Sequence, residues 1–81
     1  MSTSYNEDVM TLLNVPIGKR ARLVSFSGRL QVKLMQYGLH SGDFVRVLRS
    51  APLGGPLLIE VNGREIALGR AVAEKILVEV E

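Results

Sequence analysis

The sequence has no cysteine and no tryptophan, a single histidine, and four aromatic residues in 81 positions: Tyr5, Phe26, Tyr37 and Phe44. Without cysteine there is no disulfide staple, no thiolate-ligated zinc and no thiol nucleophile, and a reducing compartment is the natural setting. With His40 as the lone imidazole, Ser25, Ser27 and Ser41 lack a further histidine to serve as their base, so nucleophilic catalysis has no support. The scattered aromatics give no basic stacking platform for nucleic acid. No apolar run is longer than a few residues, so nothing in the sequence spans a bilayer. The polar, acidic start (residues 1–8) lacks the basic and apolar regions of a signal peptide. Together these absences predict a cytoplasmic binding or regulatory module, not an enzyme.

What is present is apolar residues, at 47%. That content supplies a core made by side chains alone, as one domain of this length requires. A chain this small buries only about 60% of its unfolded surface, so a stability near the low end of the usual range, roughly 5 kcal/mol, is expected. The net charge of +2 is unevenly distributed. All ten basic residues lie between Lys19 and Lys75, against four acids there (Asp43, Glu60, Glu65 and Glu74), a net of +6. Glu7 and Asp8 on one side and Glu79 and Glu81 on the other supply the compensating four negative charges. A positive body can meet nucleic acid or an acidic protein face, and it also simply keeps a small domain soluble.

Residues 1–10 read as a flexible tail and 11–81 as the domain. Thr11 is placed to cap a single turn through Leu12, Leu13 and Val15, closed by Pro16 and Gly18. Residues 19–26 read as a first strand, with Ala21 and Leu23 on one face, Arg22 and Val24 on the other, and a bulge at Ser25–Phe26. A short helix from Ser27 or Gly28 to Tyr37 places Leu30, Leu34 and Tyr37 on one face, Met35 at its edge and Val32 on the polar side. Gly38 suits the left-handed conformation that ends a helix, and Leu39 folds back onto the last turn. Ser41-Gly42-Asp43 turns into a second strand, 44–49, with Val45 and Val47 opposite Phe44 and Leu48.

Residues 51–56, Ala-Pro-Leu-Gly-Gly-Pro, form a loop dense in breakers. A third strand at 57–61 and a fourth at 64–68 flank Asn62-Gly63, the strongest short hairpin signal in the chain. A helical turn at 69–75 precedes a last strand, 76–80. The prediction is mainly β: a small, partly open barrel of five short strands, which avoids a long open edge, with one short α-helix and a helical turn before the last strand.

This order of features resembles the FeoA family. The likeness runs from about Leu12 to Val80. It is carried by Leu39 after Gly38, by Gly42-Asp43 before Val45 and Val47, by the Pro52-Leu53-Gly54-Gly55-Pro56 loop, and by Ile66-Ala67-Leu68 and Ile76. One departure is Ser41, where the family often has proline before the turn glycine. The resemblance implies an SH3-like barrel, a cytoplasmic location, and a role beside FeoB, the ferrous-iron membrane transporter with a GTP-binding domain. It also implies kinship with the C-terminal domain of DtxR-type repressors. Transition-metal binding comes with the family as well; the residues themselves do not show it.

The candidate metal ligands are His40 and Asp43, with Glu60 or Glu65 conceivable from elsewhere, and they fall short of the three or four ligands a transition-metal site wants. A solvent-facing turn histidine is the plainer reading, so no metal and no cofactor is expected. Gly54-Gly55 lacks the lysine and Ser/Thr of a phosphate loop. The candidate partner-binding residues are Leu53, Gly54 and Gly55 in the stiff loop, and Val32, Met35 and Tyr37 on the helix. Arg29, Lys33 and Arg49 would steer the approach. The expected partner is the cytoplasmic part of a FeoB-type transporter, without membrane insertion and without nucleic acid. A nucleic-acid-binding small barrel and a weak transition-metal module are the alternatives, and the oligomeric state stays open.

Overall fold

The computed structural model describes residues 9–26 and 28–81. Among the described residues six strands are formed: β1 (Val9–Thr11), β2 (Arg20–Phe26), β3 (Phe44–Ser50), β4 (Leu57–Val61), β5 (Arg64–Leu68) and β6 (Ile76–Val80). Helix α1 (Gly28–Gln36) joins β2 to β3, the short α2 (Arg70–Ala73) joins β5 to β6, and one turn of 3-10 helix (Leu12–Asn14) follows β1. The strands pair antiparallel in the order β1-β6-β2-β3-β4-β5 and curl into a small SH3-like barrel.

The sixth strand is β1, where five strands were expected. It pairs Val9 with Glu79, Met10 with Val78 and Thr11 with Leu77. Val9 and Met10 were read as the end of a tail; residues 1–8 of that segment lie outside the described residues. Three residues beside an acidic stretch carry too short an alternation to declare a strand, and pairing with β6 decides it. Thr11 makes no side-chain cap at the 3-10 turn; its Oγ1 accepts from Asn14 Nδ2 at 3.2 Å instead.

Period-two alternation fills the barrel. Ala21 and Leu23 from β2, Val45 and Val47 from β3, Leu57, Ile59 and Val61 from β4, and Ile76 and Val78 from β6 all point inward and are buried. Leu34 of α1, Leu12, Leu39, Leu68 and Ala73 cover the ends of this core with no exposure at all. The β2 irregularity falls between Leu23 and Ser25, one residue before the expected bulge, and a second one at Leu48 interrupts β3 against β4.

Two local signals behave as their chemistry demands. Asn62 and Gly63 both have positive φ, 52° and 80°, as a type I′ turn needs. Gly38 has φ 84°, and the Leu39 and Gly38 amides donate to the Leu34 and Met35 carbonyls at 2.9 Å each. That double closure ends α1 and drives Leu39 into the core.

Candidate functional site: a leucine-tipped turn and an apolar cleft

The loop after β3 is a tight turn on a narrow base. The Ala51 amide donates to the Pro56 carbonyl at 2.9 Å, and the Gly55 amide to the Pro52 carbonyl at 3.1 Å. Between them Leu53 and Gly54 sit at φ 60° and 76°, the two left-handed positions of a type I′ turn. Glycine, asparagine or aspartate normally takes the first of these, and a leucine there is held in strain of about 1–2 kcal/mol. Its side chain is 103% exposed, so packing within the chain does not offset that strain. Gly55 is fixed by contact: a Cβ there would lie 2.7 Å from Ala51 Cβ and 3.2 Å from the Pro52 carbonyl. Arg49 is exposed on β3 at the base of the loop. Arg70, which sequence reasoning passed over, lays its stem beside Gly54 and makes a long 3.5 Å contact with Ser50 Oγ.

A second surface lies at the other end of β3. Phe26, Gln31, Met35, Leu39, His40, Ser25 and Ser41 line an open cleft of about 420 Å³. Leu39 is its fully buried apolar member, and Met35 is half-exposed. Ser41 Oγ donates to the Val24 carbonyl at 2.9 Å, tying the turn to the β2 bulge. In the sequence Phe26 marks the expected strand irregularity and Leu39 packs back on the last helical turn; neither is read as lining a cleft. Phe26 and Leu39 are far apart in sequence, and the fold brings them together in the cleft.

The structure therefore separates the proposed docking residues. Leu53, Gly54, Gly55 and Arg49 cluster at one end of the seven-residue β3, and Met35 lines the cleft at the other, roughly 20 Å away at the usual strand rise. On α1, Val32 is 63% exposed and lies next to Met35 around the helix. Tyr37 lies just past the end of α1, is exposed, and does not line the cleft. Arg29 and Lys33 are exposed on α1 and neither lines the cleft.

His40 and Asp43 do meet, as the two ends of a turn. The His40 backbone amide donates to Asp43 Oδ2 at 2.9 Å, the Asp43 amide returns to the His40 carbonyl at 3.0 Å, and His40 Nδ1 stands 3.5 Å from the same Oδ2. The carboxylate thus serves the backbone first. Among the described residues no group of three or more His, Cys, Asp and Glu side chains is gathered to hold a metal. Glu60 and Glu65 pair across β4 and β5, away from this turn. Among those residues, too, no helix is long and apolar enough to cross a membrane.

A curled antiparallel sheet, a short helix between its second and third strands and a stiff Pro-Leu-Gly-Gly-Pro turn define a small SH3-like domain of the kind found in iron-uptake proteins and metal-dependent regulators. The FeoA domain model matches residues 10–80, and the chain belongs to the FeoA family. It is 38% identical over 47 residues to the Fe(2+) transport protein A assigned in Methanocaldococcus jannaschii, a stretch that is 58% of this chain and 55% of that protein. The chain thus matches about half the length of that curated relative. The crystal structure of an iron uptake regulatory protein, FeoA, superposes with a TM-score of 0.81 at 29% identity, covering 90% of this chain and 99% of that one. The manganese regulator SloR superposes with a TM-score of 0.79 at 27% identity, covering 89% of this chain and 34% of the regulator.

Proposed function

We propose that this chain is a non-enzymatic accessory of ferrous-iron transport, acting in the cytoplasm by docking onto the cytoplasmic part of a FeoB-type transporter. The observation that carries this reading is Leu53. A fully exposed leucine in a left-handed conformation is strained and unburied in the free chain. Both features are understandable when a partner supplies the missing pocket. Burying one leucine is worth about 1.5–3 kcal/mol, and the proline-flanked turn loses little entropy on binding.

Membership of the FeoA family, the name of the archaeal relative and the iron-uptake structural match support the choice of partner. Arg49 and Arg70 beside the turn, with Arg29 and Lys33 on the helix, add steering charge that salt weakens. The Met35 cleft is a second contact surface only for a partner that reaches around the barrel. The catalytic sets missing from the sequence fit an accessory that acts by contact.

Titration calorimetry of the chain against the cytoplasmic part of its cognate FeoB-type transporter, at low salt, tests the proposal. Heat of binding that Leu53→Asn weakens at least tenfold supports it. Absence of binding by the unmodified chain refutes it.

A further inference from the structure

We infer that Arg20, stacked on Phe44, is a carboxylate-binding site that Glu81 occupies in cis and that an acidic peptide segment of a partner takes over. The Arg20 guanidinium grips Glu81 side-on, Nε–H donating to Oε1 at 2.7 Å and Nη2–H to Oε2 at 3.0 Å. This parallel fork is the geometry by which arginine selects a carboxylate. The same guanidinium lies over the Phe44 ring, 4.3 Å from its centroid. The ring fixes the plane of the fork independently of Glu81, so the site stays formed when Glu81 leaves.

Beside the stack is an open cleft of about 350 Å³, lined by Arg20, Phe44, Arg46, Glu60 and the Asn62-Gly63 turn. Arg46 stands directly across from Arg20 in the ladder. One of its nitrogens, Nη1, donates to the Gly18 carbonyl at 2.9 Å. Its charge also reaches Glu81, since Arg20 first and Arg46 with it hold that carboxyl below its ordinary titration range. Two cations side by side suit a run of acidic residues better than a single carboxylate. Glu60, opposite Arg46 on β4, sets the limit of the positive ground and directs the run along Arg20 and Arg46.

Comparison with the neighbouring pair shows why Glu81 is the replaceable partner. Arg22 and Glu79, 2.6 Å apart, are direct ladder partners on β2 and β6. Glu81 lies one residue beyond β6, its amide held by the Arg20 carbonyl at 3.1 Å and its side chain half-exposed. Turning that side chain away is a rotamer change that leaves the β2–β6 ladder whole. No residue of this site belongs to the Leu53 turn or to the Met35 cleft.

The test is a two-dimensional NMR titration of the full chain with N-acetyl-tetraglutamate amide, following the backbone amides and the Arg20 side-chain Nε–H. Glu81→Gln removes the internal competitor and is expected to bind the peptide about three- to fivefold more tightly, the advantage an exposed pair can hold against a rival. Shifts should centre on Arg20, Phe44, Arg46 and Asn62, and Arg20→Ala should abolish them. Both side chains are exposed, so each variant keeps the fold, which its amide spectrum verifies. Equal affinity of the unmodified chain and Glu81→Gln, or unchanged shifts in Arg20→Ala, overturns the inference. Neither outcome depends on the transporter.

Discussion

Arg64, the first residue of β5, donates from Nη2 to the Tyr37 carbonyl at 3.1 Å and so closes the C-terminal end of α1 from a hairpin far along the chain. The same guanidinium fills the space beside Gly38, where an added Cβ would collide with it. The left-handed φ is what requires glycine at position 38, and an added Cβ would also push the flexible end of Arg64 away from the Tyr37 carbonyl. A cation at the carbonyl end of a helix also opposes the helix dipole favourably, by about 0.3–1 kcal/mol.

Gly38→Ala should therefore destabilise the domain by more than the roughly 1–2 kcal/mol of a left-handed alanine alone. In the double variant with Arg64→Ala the loss should be smaller than the sum of the two single losses, because the collision is gone and only the backbone strain remains. Chemical denaturation of the four proteins measures this coupling. Strict additivity would mean that the arginine simply moves aside.

Leu53→Asn separates folding from docking. Asparagine tolerates the first position of a type I′ turn, so the variant should be as stable as the parent or more stable by up to about 1 kcal/mol. The same change removes the exposed apolar side chain, whose burial is worth about 1.5–3 kcal/mol, and should weaken binding to a FeoB-type partner by at least tenfold. Thermal melts and calorimetry on one preparation report both effects.

Glu81 should titrate below the ordinary glutamate range, first because of its hydrogen bonds from Arg20. Its protonation is thus harder in the folded chain than in the unfolded one. The pair contributes stability above the unfolded carboxyl pKa, and the contribution disappears as the pH falls through the lower folded value. Side-chain carboxyl NMR should place the Glu81 midpoint below that of the same residue in Arg20→Ala. Because the pair is exposed, the melting temperature should change little between the two proteins.

Ile59→Ala tests the core. Ile59 is wholly buried at the middle of β4, paired on both sides with Val47 and Ile66. Truncating such a residue costs about 2–5 kcal/mol, a large share of what a domain of this size has. Circular dichroism should show the variant largely unfolded at moderate temperature.

The features legible in the sequence are those set by neighbours along the chain. Gly38 with Leu39, Asn62 with Gly63, the alternation of Val45 and Val47, and the breaker loop around Leu53 each follow from local backbone chemistry. The exposure of Val32 followed from helical period alone. What escaped depends on pairing and curvature. β1 exists because β6 offers an edge to Val9–Thr11. The cleft gathers Phe26 of β2, Met35 of α1 and Leu39 beyond it, which only the tertiary fold brings together. The Leu53 loop and the Met35 side of the helix were two candidate surfaces, and only the fold shows that they lie toward the two ends of β3. Arg20, Phe44 and Glu81 are far apart in sequence, and only the β6-β2-β3 order makes them neighbours.

The most direct test of the central claim is an amide-resolved NMR titration of the labelled chain with the cytoplasmic part of its cognate FeoB-type transporter. Docking through the leucine-tipped turn predicts the largest shifts at Leu53, Gly54 and Gly55, with Arg49 and Arg70 affected beside them and all of these lost in Leu53→Asn. Saturating partner that leaves the turn unshifted, or that shifts it equally in Leu53→Asn, would contradict the account.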